Sequence, residues 1–134
     1  SVDENGRAEF GQQAASGTSG IISAASGWSV NSDTKVIKKA GWIILTAALD
    51  RTGGTLTANS EGNFTDTDLC TIQAAWRPDN FLSNDRMVAI WGTGFTSGSV
   101  GLNPSTGLVD LLDAHSTSQI ENTNTLRFTY VYPA

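Results

Sequence analysis

The sequence predicts an all-β protein, an antiparallel sandwich or barrel, and three observations carry that expectation. Gly, Ser, Thr and Asn are plentiful while charged residues supply 16% of the chain, a composition of turn-rich sheet proteins rather than helical ones. About eight or nine short apolar or alternating segments recur at regular intervals between turn residues, the spacing expected of a sandwich or barrel. The most apolar stretch, Trp42 to Leu49, is bounded by Gly41 on one side and Gly53-Gly54 on the other. It is too short to span a bilayer, and its β-branched and aromatic content argues for a strand. Ile43, Leu45, Ala47 and Leu49 then share one face, and Trp42, Ile44, Thr46 and Ala48 the other. Neither face suits water. One lines the core, and the second needs cover that either a long loop or a second subunit supplies; the second subunit is the expectation taken here.

The elements follow in order. Residues 1–20 are polar, rich in small side chains and without period, and are expected to be a linker or lead-in; residues 21–134 are expected to form one β domain. Ile21 to Val30 is a first strand kinked at Ser26-Gly27, and Asn31-Ser32-Asp33 is a turn. Val36 and Ile37 begin a strand that enters the central run through Gly41. Arg51 to Gly54 is a hairpin loop, with Thr55 to Ala58 returning. Leu69 to Ala74 is the next strand, ending at Trp76-Arg77-Pro78-Asp79-Asn80, where proline stops the ladder. Arg86 to Gly92 is apolar on both faces, so Met87, Ala89 and Trp91 form a second candidate for cover by a neighbouring copy. Ser97 to Leu102 and Leu108 to Leu112 flank the hairpin turn Asn103 to Gly107. Leu126, Phe128, Tyr130 and Tyr132 alternate with polar or smaller residues in a terminal strand.

Composition also narrows the function. The 134 residues suffice for one domain with its own core. Thirteen acidic against eight basic residues give a charge of −5 with no basic run, which argues against a nucleic-acid or anionic-membrane surface. Cys70 is the single cysteine, so no internal disulfide exists, and its place in a strand marks it as core filling. No metal-ligand cluster or cofactor motif is legible. The initial serine suggests a fragment or processed product of something longer.

The order of motifs resembles the C-terminal head domains of bacteriophage tail-fibre and receptor-binding proteins. The residues that carry this are Gly27-Trp28, the Lys38-Lys39-Ala40-Gly41-Trp42 entry into an apolar strand, Gln73-Ala74-Ala75-Trp76-Arg77-Pro78, the Gly101 to Leu111 hairpin and the aromatic last strand. The Trp76-Arg77-Pro78 turn is the most telling of them. The resemblance implies a jelly-roll-like domain, a homotrimer on a longer fibre at the phage tail tip, and recognition of a host cell-wall polysaccharide or other surface glycan. It implies no catalysis and transfers no binding residue.

Candidate site residues come from chemistry. Saccharides are held by Asp, Asn, Gln and His hydrogen bonds and by aromatic rings under their C–H faces. Asp113 and His115 offer one such set in a late loop, where an inert exposed loop is the plain alternative. Asn84, Asp85 and Arg86 offer another, where turn chemistry is the alternative; Arg86 can also grip a phosphate in two places. Trp76, at a strand end, is a candidate platform, whereas Trp42 and Trp91 suit core or interface. A Ser-His-Asp triad can be assembled only from the single histidine, His115, with no nucleophile elbow. Asp110 with Asp113, and Asp66 with Asp68, are the acid pairs a polysaccharide-cleaving enzyme would draw on. That enzyme, and a structural trimerisation or capping domain, are the rival functions.

Overall fold

The computed structural model describes residues 12–65, 67–77, 85–92 and 96–133. The lead-in up to residue 11, the Pro78-Asp79-Asn80 turn, Asp66 and Asn84 lie outside the described residues, and Asp85 is described as backbone.

The strands are β1 Gln13–Ser16, β2 Ile22–Ala24, β3 Trp28–Val30, β4 Lys35–Lys39, β5 Trp42–Arg51, β6 Leu56–Thr57, β7 Asp68–Ile72, β8 Asp85–Trp91, β9 Thr96–Leu102, β10 Leu108–Ala114, β11 Gln119–Ile120 and β12 Thr125–Pro133. Ten of them form one antiparallel sheet in the order β1-β4-β5-β12-β8-β9-β10-β7-β2, with β3 added to β5. The sheet curls into a half-barrel, so the all-β antiparallel expectation holds in the form of one continuous curved sheet. β6 and β11 make a separate two-stranded ribbon.

Curling gives the sheet a closed inner face and a convex outer one. Ile43, Leu45, Ala47 and Leu49 of β5 point inward, as do Leu126, Phe128, Tyr130 and Tyr132 of β12, and all are buried. Met87, Ala89 and Trp91 of β8 join them, with Trp91 Nε1 donating to Gln119 O at 2.9 Å. Cys70 is wholly inside, and burial pushes its thiol up to about 12, the inert core cysteine expected.

Four expectations are corrected. Val36 and Ile37 do not run on through Gly41: Ala40 (φ 52°) and Gly41 (φ 82°) turn the chain, and β4 pairs back antiparallel on β5. Thr55 to Ala58 does not return along the central strand; β6 pairs with β11 instead. Ile21 to Val30 is two strands, since positive φ at Gly27 (85°) sends β2 to β7 and β3 to β5. Met87, Ala89 and Trp91 are the core side of β8, so the face that needs cover there is Val88 and Ile90. The first of these turns rests on a left-handed alanine, which composition does not announce. In addition, Gln13–Ser16 within the expected lead-in forms an edge strand on β4.

The outer face carries an apolar ridge. Trp42 is 53% exposed, Ile44 44%, Val88 69%, Ile90 40% and Val131 57%. Val131 lies opposite Ile44 in the ladder of β12 with the neighbouring β5, so these two adjoin, while Ile90 of β8 lies opposite Arg127 of β12.

Candidate ligand-binding site

Beyond the ridge the outer face changes character, because β9 reads Thr96-Ser97-Gly98-Ser99-Val100-Gly101-Leu102. Its outward positions, Ser97, Ser99 and Gly101, stand opposite Ile90, Val88 and Arg86 of β8. Small side chains in this middle strand leave a trough of about 180 Å3 walled by Arg86 on one side and by Asp110 and Leu112 on the other, with Asn103 at its end. A Cβ on Gly101 would come within 3.0 Å of Leu112 Cδ1, so a side chain there would fill the floor.

Two irregularities in β10 aim its acids. The register against β9 shifts between Leu111 and Asp113, a bulge that sets Asp113 opposite Ser99. Ser99 Oγ donates to Asp113 Oδ1 at 2.5 Å, and Arg86 Nη1 lies 4.0 Å from Asp113 Oδ2. Arg86 and Asp113, read from the sequence as members of separate sets, therefore meet across β9. Their side chains are 71% and 50% exposed, so the ion pair adds little stability and leaves both groups accessible to a ligand.

The second shift, against β7, sets Asp110 opposite Asp68. Burial first, then the hydrogen bond and negative charge of Asp68, hold the Asp110 carboxyl above its ordinary value of 3.8. Asp110 Oδ1 is buried without a partner. The linkage sign follows directly. An unfolded Asp110 releases its proton near 3.8 and the folded one at higher pH, so the folded state is penalised as pH rises through that window. Asp110→Asn is therefore expected to raise the melting temperature at pH 7, with the gain over the parent protein shrinking as pH falls toward 3.8 and absent below it; thermal melts across pH check it.

Of the residues read from the sequence, Arg86 lines this trough, Asp113 stands beside it as the partner of Arg86, and His115 and Trp76 do not line it. His115 is exposed just past the end of β10, its Nδ1 3.1 Å from Ser116 O. Trp76 closes a short 3-10 turn, Ala74–Trp76, where its Nε1 donates to Gly20 O at 3.2 Å and its carbonyl accepts from the Tyr132 hydroxyl. It acts as a clamp between the chain before β2 and the last strand. Behind Asp113 the strand end is braced by the loop at 59–63: Ala114 N donates to Gly62 O at 2.9 Å, Thr117 N to Asn59 O at 3.1 Å, and Asn63 bridges Asp113.

No protein-family model matches the chain, and no curated protein matches it. Among solved structures, the receptor binding protein (gp15) of Listeria phage PSA matches with a TM-score of 0.56 at 13% identity, over 94% of this chain and 68% of that one. In fold, the chain resembles a phage receptor-binding protein. At that identity the likeness is one of architecture, so the trough rests on this chain's own residues.

Gly101, Asn103 and Asp110 complete the trough and were not among the residues the sequence singled out for binding. A signal existed: small residues at the alternating positions 97, 99 and 101 of one strand mark a face where something else can approach. Among the described residues, no group of three or more His, Cys, Asp or Glu side chains is placed to hold a metal ion, and no helix is long and apolar enough to cross a membrane.

Proposed function

We propose that this chain is a receptor-binding head of a phage tail tip, carried outside the cell on the virion, which assembles as a homotrimer and recognises a host cell-surface saccharide without modifying it. The observation that carries the proposal is the trough between Arg86 and Asp110, with Asp113 paired to Arg86 beside it, on a fold shared with a phage receptor-binding protein. It is shallow and already arranged, with the Arg86 guanidinium, the Asp110 carboxyl and the Asn103 amide lining one small space, groups that sugar hydroxyls require. Its volume is below the roughly 300 Å3 at which drug-sized sites begin, which suits one sugar ring and an affinity that depends on repetition. The homotrimer is supported by the exposed apolar side chains of the ridge, which subunit contact would remove from water.

The test is adsorption of host cells and competition by their purified wall polysaccharide. Arg86→Ala and Asp113→Ala are each expected to cut adsorption tenfold or more with unchanged melting temperature. Unchanged adsorption in both variants would reject the trough. Loss of all competition by polysaccharide would favour the structural trimerisation or capping domain, which draws on the ridge alone. New reducing ends in the polysaccharide would instead identify an enzyme.

A further inference from the structure

A second polar hollow opens where β5 ends and β12 begins. It measures about 480 Å3 and is lined by Ser29, Asp50, Arg51, Thr52, Asn122 and Thr123. The trough is elsewhere. Asp50 pairs with Thr125 and Arg127 with Ile90, so two residues along β12 and four along β8 separate the hollow from Arg86, roughly 20 Å in the strand direction. Within the hollow, Asp50 is a fixed acceptor. Asn31 Nδ2 donates to its Oδ1 at 3.1 Å and to its Oδ2 at 3.2 Å, and Thr125 Oγ1 donates to Oδ1 at 2.7 Å. These bonds fill three of the roughly four acceptor positions of a carboxylate and leave capacity on Oδ2. Asn122 Nδ2 donates to Thr52 O and Gly53 O, each at 3.0 Å, which uses both amide hydrogens and leaves Oδ1 to accept.

The backbone around the hollow is held in one shape. Thr123 sits at φ 79°, which a β-branched residue adopts only where its surroundings enforce it, and its N donates to Arg51 O at 2.9 Å. Arg51 itself is buried: its Nε donates to Gly54 O at 2.9 Å, and its guanidinium lies 5.2 Å from the centre of the Trp28 ring. Gly27 and Gly53 make room for it, since a Cβ on either would fall 2.7 Å from a guanidinium nitrogen. A cation taken out of water ties down the turn at 52–54, and a strained threonine stands in the turn beside it. Strain of this kind collects at binding sites.

We propose that this hollow is a second saccharide subsite, one that takes neighbouring hydroxyls of a neutral sugar unit. The inference extends the saccharide reading to another place on the chain, and each can fail without the other. Chemistry selects the ligand. Asp50 Oδ2 and Asn122 Oδ1 both call for donors, and adjacent sugar hydroxyls donate to them while accepting from the hydroxyls of Ser29, Thr52 and Thr123. A carboxylated or phosphorylated unit is repelled by the Asp50 carboxylate and has fewer protons to give. Trp28 is buried on the inner side, and the lining of the hollow contains no ring, so binding there is by hydrogen bonds and weak. Two weak subsites on one chain raise the avidity for a polymer long enough to reach both. The hollow also lies at the opposite end of β5 from Trp42 and Ile44, clear of that part of the ridge.

The test is amide NMR of the full chain titrated with glucose, galactose and glucuronate, with thermal melts as the folding control. Glucose or galactose is expected to shift the amides of Thr52, Thr123 and Thr125, and glucuronate to leave them in place. Asp50→Ala is expected to weaken the neutral-sugar affinity about tenfold, the loss of a hydrogen bond to a charged group. Because that variant also strips Asn31 and Thr125 of their partner, Thr123→Gly stands beside it. Glycine relieves the backbone, so Thr123→Gly is expected to melt no lower than the parent and yet to bind neutral sugar several-fold more weakly. Neutral-sugar shifts confined to Gly101, Asn103 and Asp110 would overturn the second subsite and leave the trough standing. No shift at Thr52, Thr123 or Thr125 with either neutral sugar overturns it as well, while the trough is judged separately by the adsorption of Arg86→Ala. Glucuronate that shifts these amides as strongly as glucose would overturn the ligand class, and parental affinity in both variants would overturn the site.

Discussion

Replacing Gly62 by alanine is expected to lower the unfolding free energy by roughly 3 kcal/mol and to weaken ligand binding at the same time. Gly62 adopts φ +87°, and a Cβ built on it falls 2.1 Å from the Ala114 carbonyl oxygen. Either contact or conformation would have to give, and the neighbour is backbone, which cannot swing aside as a side chain does. The strand end that would shift is the one holding Asp113 against Ser99, because Gly62 O accepts from Ala114 N and Asn63 bridges Asp113. Denaturant unfolding and cell adsorption measure the two losses. A Gly62→Ala protein of parental stability would show that the loop relaxes freely and does not brace the trough.

The second large effect separates adjacent residues. Leu45→Ala is expected to cost about 2–5 kcal/mol of stability, since Leu45 is fully buried on the inner face and its removal leaves a cavity. Ile44→Ala, one residue away and 44% exposed, is expected to change the stability of the single chain by less than about 0.5 kcal/mol. Its cost appears instead as a lower mass at a given concentration, because Ile44 belongs to the ridge. Urea unfolding at high dilution, set against light scattering at high concentration, distinguishes the two. Equal costs for both substitutions in the dilute chain would mean that the ridge is covered from within.

The contrast between Ile44 and Leu45 marks how far the sequence could be read. Alternation in β12 assigns inner and outer faces, because Leu126, Phe128, Tyr130 and Tyr132 all fall on one of them, whereas in β5 it sorts the residues into two faces that are both apolar. In β8, as in β5, both sides are apolar, and nothing local states that Val88 and Ile90 rather than Met87 and Ala89 lie outside; the sheet order decides it. Two-residue strands such as β6 and β11 carry too little pattern to be seen. At the site, Arg86 and Asp113 were legible as chemistry, but their meeting depends on a bulge and on small residues between them. The Asp68–Asp110 contact was not legible at all, since it arises from a register shift between strands some forty positions apart.

The position of β12 has a consequence for how the molecule is made. Thr125–Pro133 is laid between β5 and β8 and is the strand through which the two halves of the sheet are laddered together. A ribosome must have delivered nearly all of these 134 residues before that seam can be sewn. Until then β5 and β8 present unpaired edges with Ile44, Val88 and Ile90 beside them, so nascent or prematurely terminated chains are the form most prone to stick to one another. Maturation is accordingly expected to be late and slow, as pairings distant in sequence are.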